Sequence, residues 1–121
     1  MQRSPTQRAG DAAEQVACRH LQAAGLSLLA RNFQCRGGEI DLIMRHGGVL
    51  VFVEVRSRGG KRHGGAAASI DAAKRRRLQL AAQRFLQTAW RGPVPPCRFD
   101  VVAIDAGMPL WIRDAFENDA S

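Results

Sequence analysis

The chain has 121 residues, 45% of them apolar and 24% charged. That suits one globular domain able to bury its own core, and it excludes a disordered tail. Eighteen Lys and Arg against eleven Asp and Glu leave a formal net charge of +7, while no apolar run approaches the roughly 20 residues of a membrane-spanning helix.

Met1-Gln2-Arg3-Ser4-Pro5 lacks the apolar core of a signal peptide. Ser4 then reads as a helix cap, with Pro5 at the first helical position. Ala9, Ala12, Ala13, Val16, Ala17, Leu21 and Ala24 recur at three- and four-residue spacing, which predicts a helix with one apolar face that stops at Gly25. Three strands are expected next, over 26–33, 39–45 and 49–57, with a hairpin turn at Arg45-His46-Gly47-Gly48. In the last of them Val49, Val51, Val53 and Val55 share one face, and Leu50, Phe52, Glu54 and Arg56 share the other. Both faces begin apolar, as in a strand covered on two sides.

Residues 58–68 are rich in Gly, Ala and basic side chains and read as a loop. A second helix is expected from Ser69 to Trp90, capped by Ser69, with Asp71 in its first turn and Gly92-Pro93 at its end. Its apolar stripe is Leu78, Ala81, Ala82, Phe85, Leu86 and Ala89. A strand over 97–105 and a short one over 110–113 complete the chain. Helix, three strands, helix and one or two strands predict an α/β protein with a central mixed sheet and helices on both faces. The chain forms one domain over residues 1–121, with its ordered core at about 8–116.

The excess charge is local. Residues 56–77 hold Arg56, Arg58, Lys61, Arg62, Lys74, Arg75, Arg76 and Arg77 against Asp71 alone, so this segment carries the whole +7. Cys18, Cys35 and Cys97 are odd in number and far apart, and suit free thiols in a reducing cytosol. His46 and His63 are single histidines in turns. Trp90 and Trp111 suit packing better than base stacking, and a chain without Tyr does not read as a stacking platform for single strands.

The candidate chemistry lies in Gly38-Glu39-Ile40-Asp41-Leu42-Ile43 and in Glu54. Alternation puts Glu39, Asp41 and Ile43 on one face of their strand. A hairpin centred near Gly47 would bring Asp41 near Glu54. Two carboxylates converging in a buried sheet repel each other and lose hydration, and a hard cation relieves both costs. Mg²⁺ or Mn²⁺ so held could serve phosphodiester hydrolysis. Arg56 would contact the phosphate, and the basic loop and second helix would grip the flanking backbone.

An Asp, a hairpin turn and then Glu-hydrophobic-basic is similar to the PD-(D/E)xK pattern of restriction-endonuclease-like nucleases. A wider set of strings is more specific. Gly10-Asp11-Ala12-Ala13-Glu14, Arg31-Asn32-Phe33, Phe52-Val53-Glu54-Val55-Arg56-Ser57-Arg58, Lys74-Arg75-Arg76-Arg77-Leu78 and Arg98-Phe99-Asp100-Val101-Val102, with the segment around Asp41, resemble the YraN-like family of uncharacterised bacterial proteins over about residues 8–116. That family is thought to be related to archaeal Holliday-junction resolvases and other nucleases of the same fold.

The resemblance implies a three-layer α/β/α restriction-endonuclease-like fold and a cytoplasmic, metal-dependent endonuclease acting on DNA, with branched or structured DNA as a candidate substrate. It implies Asp41 and Glu54 as metal ligands and Glu14 as a further acidic residue near the metal, while Glu39 reads either as an outer acceptor or as the partner of an arginine. The usual lysine is replaced by Arg56, which can hold a phosphate but cannot act as a base. Lys74, at the start of the second helix, is the candidate substitute. Paired cuts would need a two-fold homodimer, whose face the sequence does not mark. Two rival readings stand beside this one: a nucleic-acid-binding module that retains the fold without turnover, and an assembly protein whose acidic strand face meets a basic partner.

Overall fold

A computed structural model describes residues 5–58 and 70–116, with side chains over 11–57 and 70–116. The elements are α1 (Pro5–Ala23), β1 (Ser27–Cys35), β2 (Gly38–His46), β3 (Val49–Arg58), α2 (Ala72–Thr88), β4 (Cys97–Asp105) and β5 (Met108–Phe116). The five strands form one mixed sheet in the order β1-β2-β3-β4-β5. Only β3 and β4 run parallel, with α2 in the connection between them. The remaining neighbours are antiparallel.

One helix covers each face, so the expected three-layer α/β/α arrangement is the one observed. On one side Ala13, Ala17, Cys18 and Leu21 of α1 pack on Leu42, Met44, Val51, Val53, Val102 and Ile104. On the other, Leu78, Ala81, Ala82 and Phe85 of α2 pack on Ile40, Ile43, Leu50, Phe52 and Phe99. The ring of Phe52 meets Phe85 and Phe99 with centroids 6.2 and 5.5 Å away, which ties α2 to the middle of the sheet. β3 is buried by both layers, as its two apolar faces require.

Several expectations change in detail. The apolar face of α1 is rotated: Ala12, Val16 and Ala24 are exposed, and Cys18 is buried instead. Alanine covers so little area that its spacing marks a helix face weakly. Asp71, and not Ser69, caps α2, accepting the Lys74 N–H at 2.8 Å. Ser69 lies outside the described residues, as do Ser4 and residues 59–68. Ala89 closes α2 and is exposed, so the helix ends before Gly92-Pro93. β5 is longer than the four residues expected. Gly25 ends α1 as predicted, with φ at +101° and its N–H on the Gln22 carbonyl.

The β1–β2 hairpin approaches α2 unusually closely. A Cβ on Gly38 would collide with the carbonyl oxygen of Arg77, and the turn before it uses Gly37 at a φ of +89°. Glycine at 38 therefore sets how near the hairpin lies to the first turns of α2.

Candidate metal and phosphate site

The hairpin turn at Gly47-Gly48 pairs His46 with Val49 and Leu42 with Val53. Extended by one residue, that register would set Asp41 opposite Glu54. The ladder stops short of them. Instead, Oδ2 of Asp41 accepts the Val55 N–H at 2.8 Å, a backbone donor that regular pairing would have satisfied.

The strands part here because β2 loses its alternation. Ile40 and Ile43 both pack under α2, although three residues apart, while Leu42 and Met44 face α1. β1 makes the same step: Ala30 and Phe33 pack on the α2 side, and Asn32 between them has a φ of +53°. Asp41 sits at the step in β2. The expectation that residues 39, 41 and 43 share one face therefore fails. Glu39 lines a different hollow and is not in the wall around Asp41.

A hollow of about 330 Å³ opens where β2 leaves β3, lined by Glu14, Asp41, Glu54, Arg56, Ser57 and Lys74 among others. It lies toward the carboxyl ends of the parallel pair β3 and β4, the usual place for a ligand in an open α/β sheet. Glu14 comes from α1, Asp41 from β2, Glu54 and Arg56 from β3, and Lys74 from the first turn of α2. Arg75 reaches back to the Ile70 carbonyl, and Arg76 and Arg77 are exposed on the same helix. Lys61, Arg62 and His63, and the Arg58 side chain, lie outside the described residues.

The carboxylates are in conflict with one another. Burial first, and then the charge of Glu54, push the Asp41 carboxyl up to about 8; Glu14 adds to the rise, and the Val55 N–H opposes it. Burial likewise raises Glu14 above its ordinary value, against the pull of Asn32 and Arg31. Glu54 is buried and meets two cations, with Lys74 Nζ at 3.1 Å and Arg56 Nη1 at 3.6 Å from its Oε2. Arg31 stands 3.6 Å from Glu14 Oε1, yet that buried oxygen has no hydrogen-bond partner among the described residues.

The carboxylates offer only hard oxygen donors, and Glu14 Oε1, 3.6 Å from Arg31, accepts no hydrogen bond among the described residues. That donor chemistry fits Mg²⁺ or Mn²⁺ and would not select a soft metal. The side chains are not arranged as a closed ligand set: among the described residues, no three His, Cys, Asp or Glu side chains converge closely enough to hold an ion. Lys74 and Arg56 occupy the Glu54 oxygen that a cation would share. Sharing of the Glu54 carboxylate between lysine and metal is the adjustment the site would need.

One further cluster carries no sequence signal of its role. Asp100, fully buried in β4, accepts from Arg98 Nε and Nη2 at 2.9 and 3.0 Å, from Trp111 Nε1 at 2.8 Å and from the Asp114 N–H at 2.9 Å. His46 Nδ1 lies 3.1 Å from Arg98 Nη2. This is a satisfied structural network, and both tryptophans serve packing: Trp111 here, against the α1 side of the sheet, and Trp90 just after α2 with its Nε1 on the Pro93 carbonyl.

Fold and site together define a small α/β/α protein with a carboxylate-lined hollow where two strands part beside a basic helix. The chain belongs to the UPF0102 family: the model of the "Uncharacterised protein family UPF0102" matches residues 13–104. It is similar to a UPF0102 protein of Bordetella parapertussis, 56% identical over 117 residues, which span 93% of this chain and 66% of that relative. A UPF0102 protein of Herminiimonas arsenicoxydans is 53% identical over 117 residues, 96% of this chain and 92% of its own length. One of Ralstonia nicotianae is 56% identical over 115 residues, 92% of this chain and 88% of its own. No described helix is long and apolar enough to cross a membrane.

Proposed function

We propose that the protein is a cytoplasmic, metal-dependent endonuclease of the restriction-endonuclease-like class, acting on branched or otherwise structured DNA. The observation that carries this reading is the frustrated carboxylate group of Glu14, Asp41 and Glu54, opened to solvent beside Arg56 and Lys74. Mutually repelling carboxylates in a hollow walled by cations suit a site shared by a divalent cation and a phosphate.

In this reading Asp41 and Glu54 hold the cation, with Glu14 as a third oxygen donor. The bound Mg²⁺ or Mn²⁺ would supply activation of water and neutralise charge on the phosphate. Val55 fixes Asp41 through its N–H, so one carboxylate oxygen is oriented before a ligand arrives. Arg56 is permanently charged and presents a planar fork, which suits it to non-bridging phosphate oxygens. Lys74, 3.1 Å from Glu54, would present its remaining N–H donors to the phosphate and share the Glu54 carboxylate with the cation. A second copy of the chain would be needed to cut two strands in register.

The test is cleavage of junction, flap, duplex and single-stranded DNA with Mg²⁺ and with Mn²⁺. The expected result is metal-dependent cutting of at least one structured substrate that falls to background in Asp41→Ala. Absence of cutting, or cutting that survives Asp41→Ala, overturns the catalytic reading. One observation favours a second reading, a DNA-binding module without turnover: Glu54 is held by Lys74 and Arg56 in an ion-paired group. That reading expects salt-sensitive DNA binding that tolerates Glu54→Gln, with no cleavage.

A further inference from the structure

Two hollows open on either side of Lys74. The first is the carboxylate hollow. The second, of about 310 Å³, lies between the first turns of α2 and the β1–β2 hairpin, and Gln34, Cys35, Glu39, Arg77 and Leu78 share its wall with Lys74. Among the described residues, Lys74 is the one side chain common to both. Beside the second hollow the hairpin and helix are in close contact: Gly38 is packed against the Arg77 carbonyl, and a Cβ on Gly37 would come within 2.9 Å of the Leu80 side chain. Its shape is set by the close approach of two backbones, which lowers the ordering cost of filling it.

We propose that this second hollow seats the sugar and base of one unstacked nucleotide, whose phosphate is held at Lys74 beside Glu54. The inference rests on the nuclease reading and names the kind of substrate that site would take. The chemistry of the wall divides by position. Lys74 and Arg77 supply cations for phosphate. The half-buried thiol of Cys35 gives a weakly polar surface for the face of a ring. The Gln34 amide can donate and accept, and the Glu39 carboxylate can accept from base N–H groups.

A volume of about 310 Å³ is near the lower end for small-ligand pockets, of the order of 300–1,000 Å³. It is large enough for one nucleoside. A continuous duplex would have to unstack and unpair a base to fill it, a cost that an already unpaired nucleotide escapes. The preferred DNA therefore carries an unpaired nucleotide at the site: a branch point, a flap or a single strand.

Cys35 provides a direct test, because it lines the hollow while Cys97 lies exposed at the start of β4. The full chain is alkylated in EDTA at low salt, with and without a short single-stranded DNA or the matching blunt duplex, each brought to saturation by fluorescence anisotropy. The two thiols are followed by peptide mass spectrometry. Single-stranded DNA should slow Cys35 about fivefold or more through lost access, leave Cys97 unchanged, and exceed the protection given by duplex at equal occupancy. Gln34→Ala should weaken single-strand binding about threefold and leave duplex binding unchanged. Saturated binding with no protection of Cys35, or equal protection by duplex, overturns this inference and leaves the nuclease reading standing. Failure of every DNA to bind overturns both.

Discussion

Two buried acidic centres stand on neighbouring strands, and the chain treats them oppositely. Asp100 pairs in register with Val53, one residue before Glu54. Its two oxygens receive four donors, including both ends of the Arg98 fork. Even the backbone bends to serve it: Asp114 holds a φ of +53°, costly for a residue other than glycine, and its N–H reaches Asp100. Around Asp41 the arrangement is reversed. Asp41 takes a backbone donor on one oxygen, Glu14 Oε1 takes none, and Glu54 meets cations that also face the solvent-open hollow. A carboxylate placed for stability is saturated with donors. A group of carboxylates that repel one another and keep spare lone pairs is poised for a ligand.

The sharpest way to break this comparison is at Asp100. Asp100→Ala leaves the half-buried Arg98 guanidinium and the Trp111 N–H without their acceptor. Removing one partner of a buried ion pair costs about 3–5 kcal/mol. Urea denaturation should show a loss of that size, while Mn²⁺ affinity of the remaining folded protein, measured by calorimetry, stays that of the parent. A loss below about 1 kcal/mol, the worth of one ordinary hydrogen bond, would mean that Asp100 is not the anchor described.

Asp41→Asn should act in the opposite direction. Asparagine keeps an oxygen for the Val55 N–H and removes the charge. The Asp41 carboxyl is raised from an ordinary value of 3.8 to about 8 in the folded protein, so between those values the folded state holds a proton that the unfolded state has released. Stability of the metal-free parent must then fall as pH rises through that window. The variant lacks this contribution. At pH 8 it should be the more stable by at least about 1 kcal/mol, since a tenfold difference in proton affinity between the two states is worth about 1.4 kcal/mol. The gap should close toward pH 4. Adding Mn²⁺ should stabilise the parent and leave the variant unmoved. Thermal melts of the pair at matched pH decide it, and parallel pH curves would remove the frustration argument.

Much of this arrangement is legible in the sequence, and the parts that are not share a cause. Alternation and turn residues place β2, β3 and β4 within a residue or so of their observed ends, and the Gly47 turn correctly brings Asp41 toward Glu54. The lysine missing from the resembled pattern, and a place at the start of the second helix, single out Lys74, and the fold brings it to 3.1 Å from Glu54. The features that escape all depend on broken periodicity or on distant partners. Unbroken alternation would set Glu39 beside Asp41, whereas β1 and β2 step together at Asn32 and Asp41. No string of residues announces such a step, although Asn is among the residues that tolerate a positive φ. Asp100 gives no hint of its role, because Trp111 and Asp114 reach it from another strand. The rotated face of α1 escapes because alanines do not distinguish inside from outside, and because Cys18 packs there as a small apolar residue.

The smallest effect, and the most discriminating, is expected at Glu14. Its carboxyl is raised by burial but opposed by Arg31 and Asn32, and it is farther from full burial than Glu54. Glu14→Gln should therefore raise the metal-free midpoint at pH 8 by less than Asp41→Asn does. The informative quantity is the double variant. Glu14 contributes to the rise at Asp41 through its charge, so once Asp41 is neutral, removing the Glu14 charge relieves less repulsion. The two gains should fall short of additive, by about 0.5 kcal/mol or more for groups sharing one charged cluster. Sites in separate environments add within a few tenths of a kcal/mol. Strict additivity would place Glu14 outside the electrostatic group of Asp41 and reduce the candidate ligands to Asp41 and Glu54, whereas a shortfall would join α1 to the site through a carboxylate oxygen that the fold leaves without a donor.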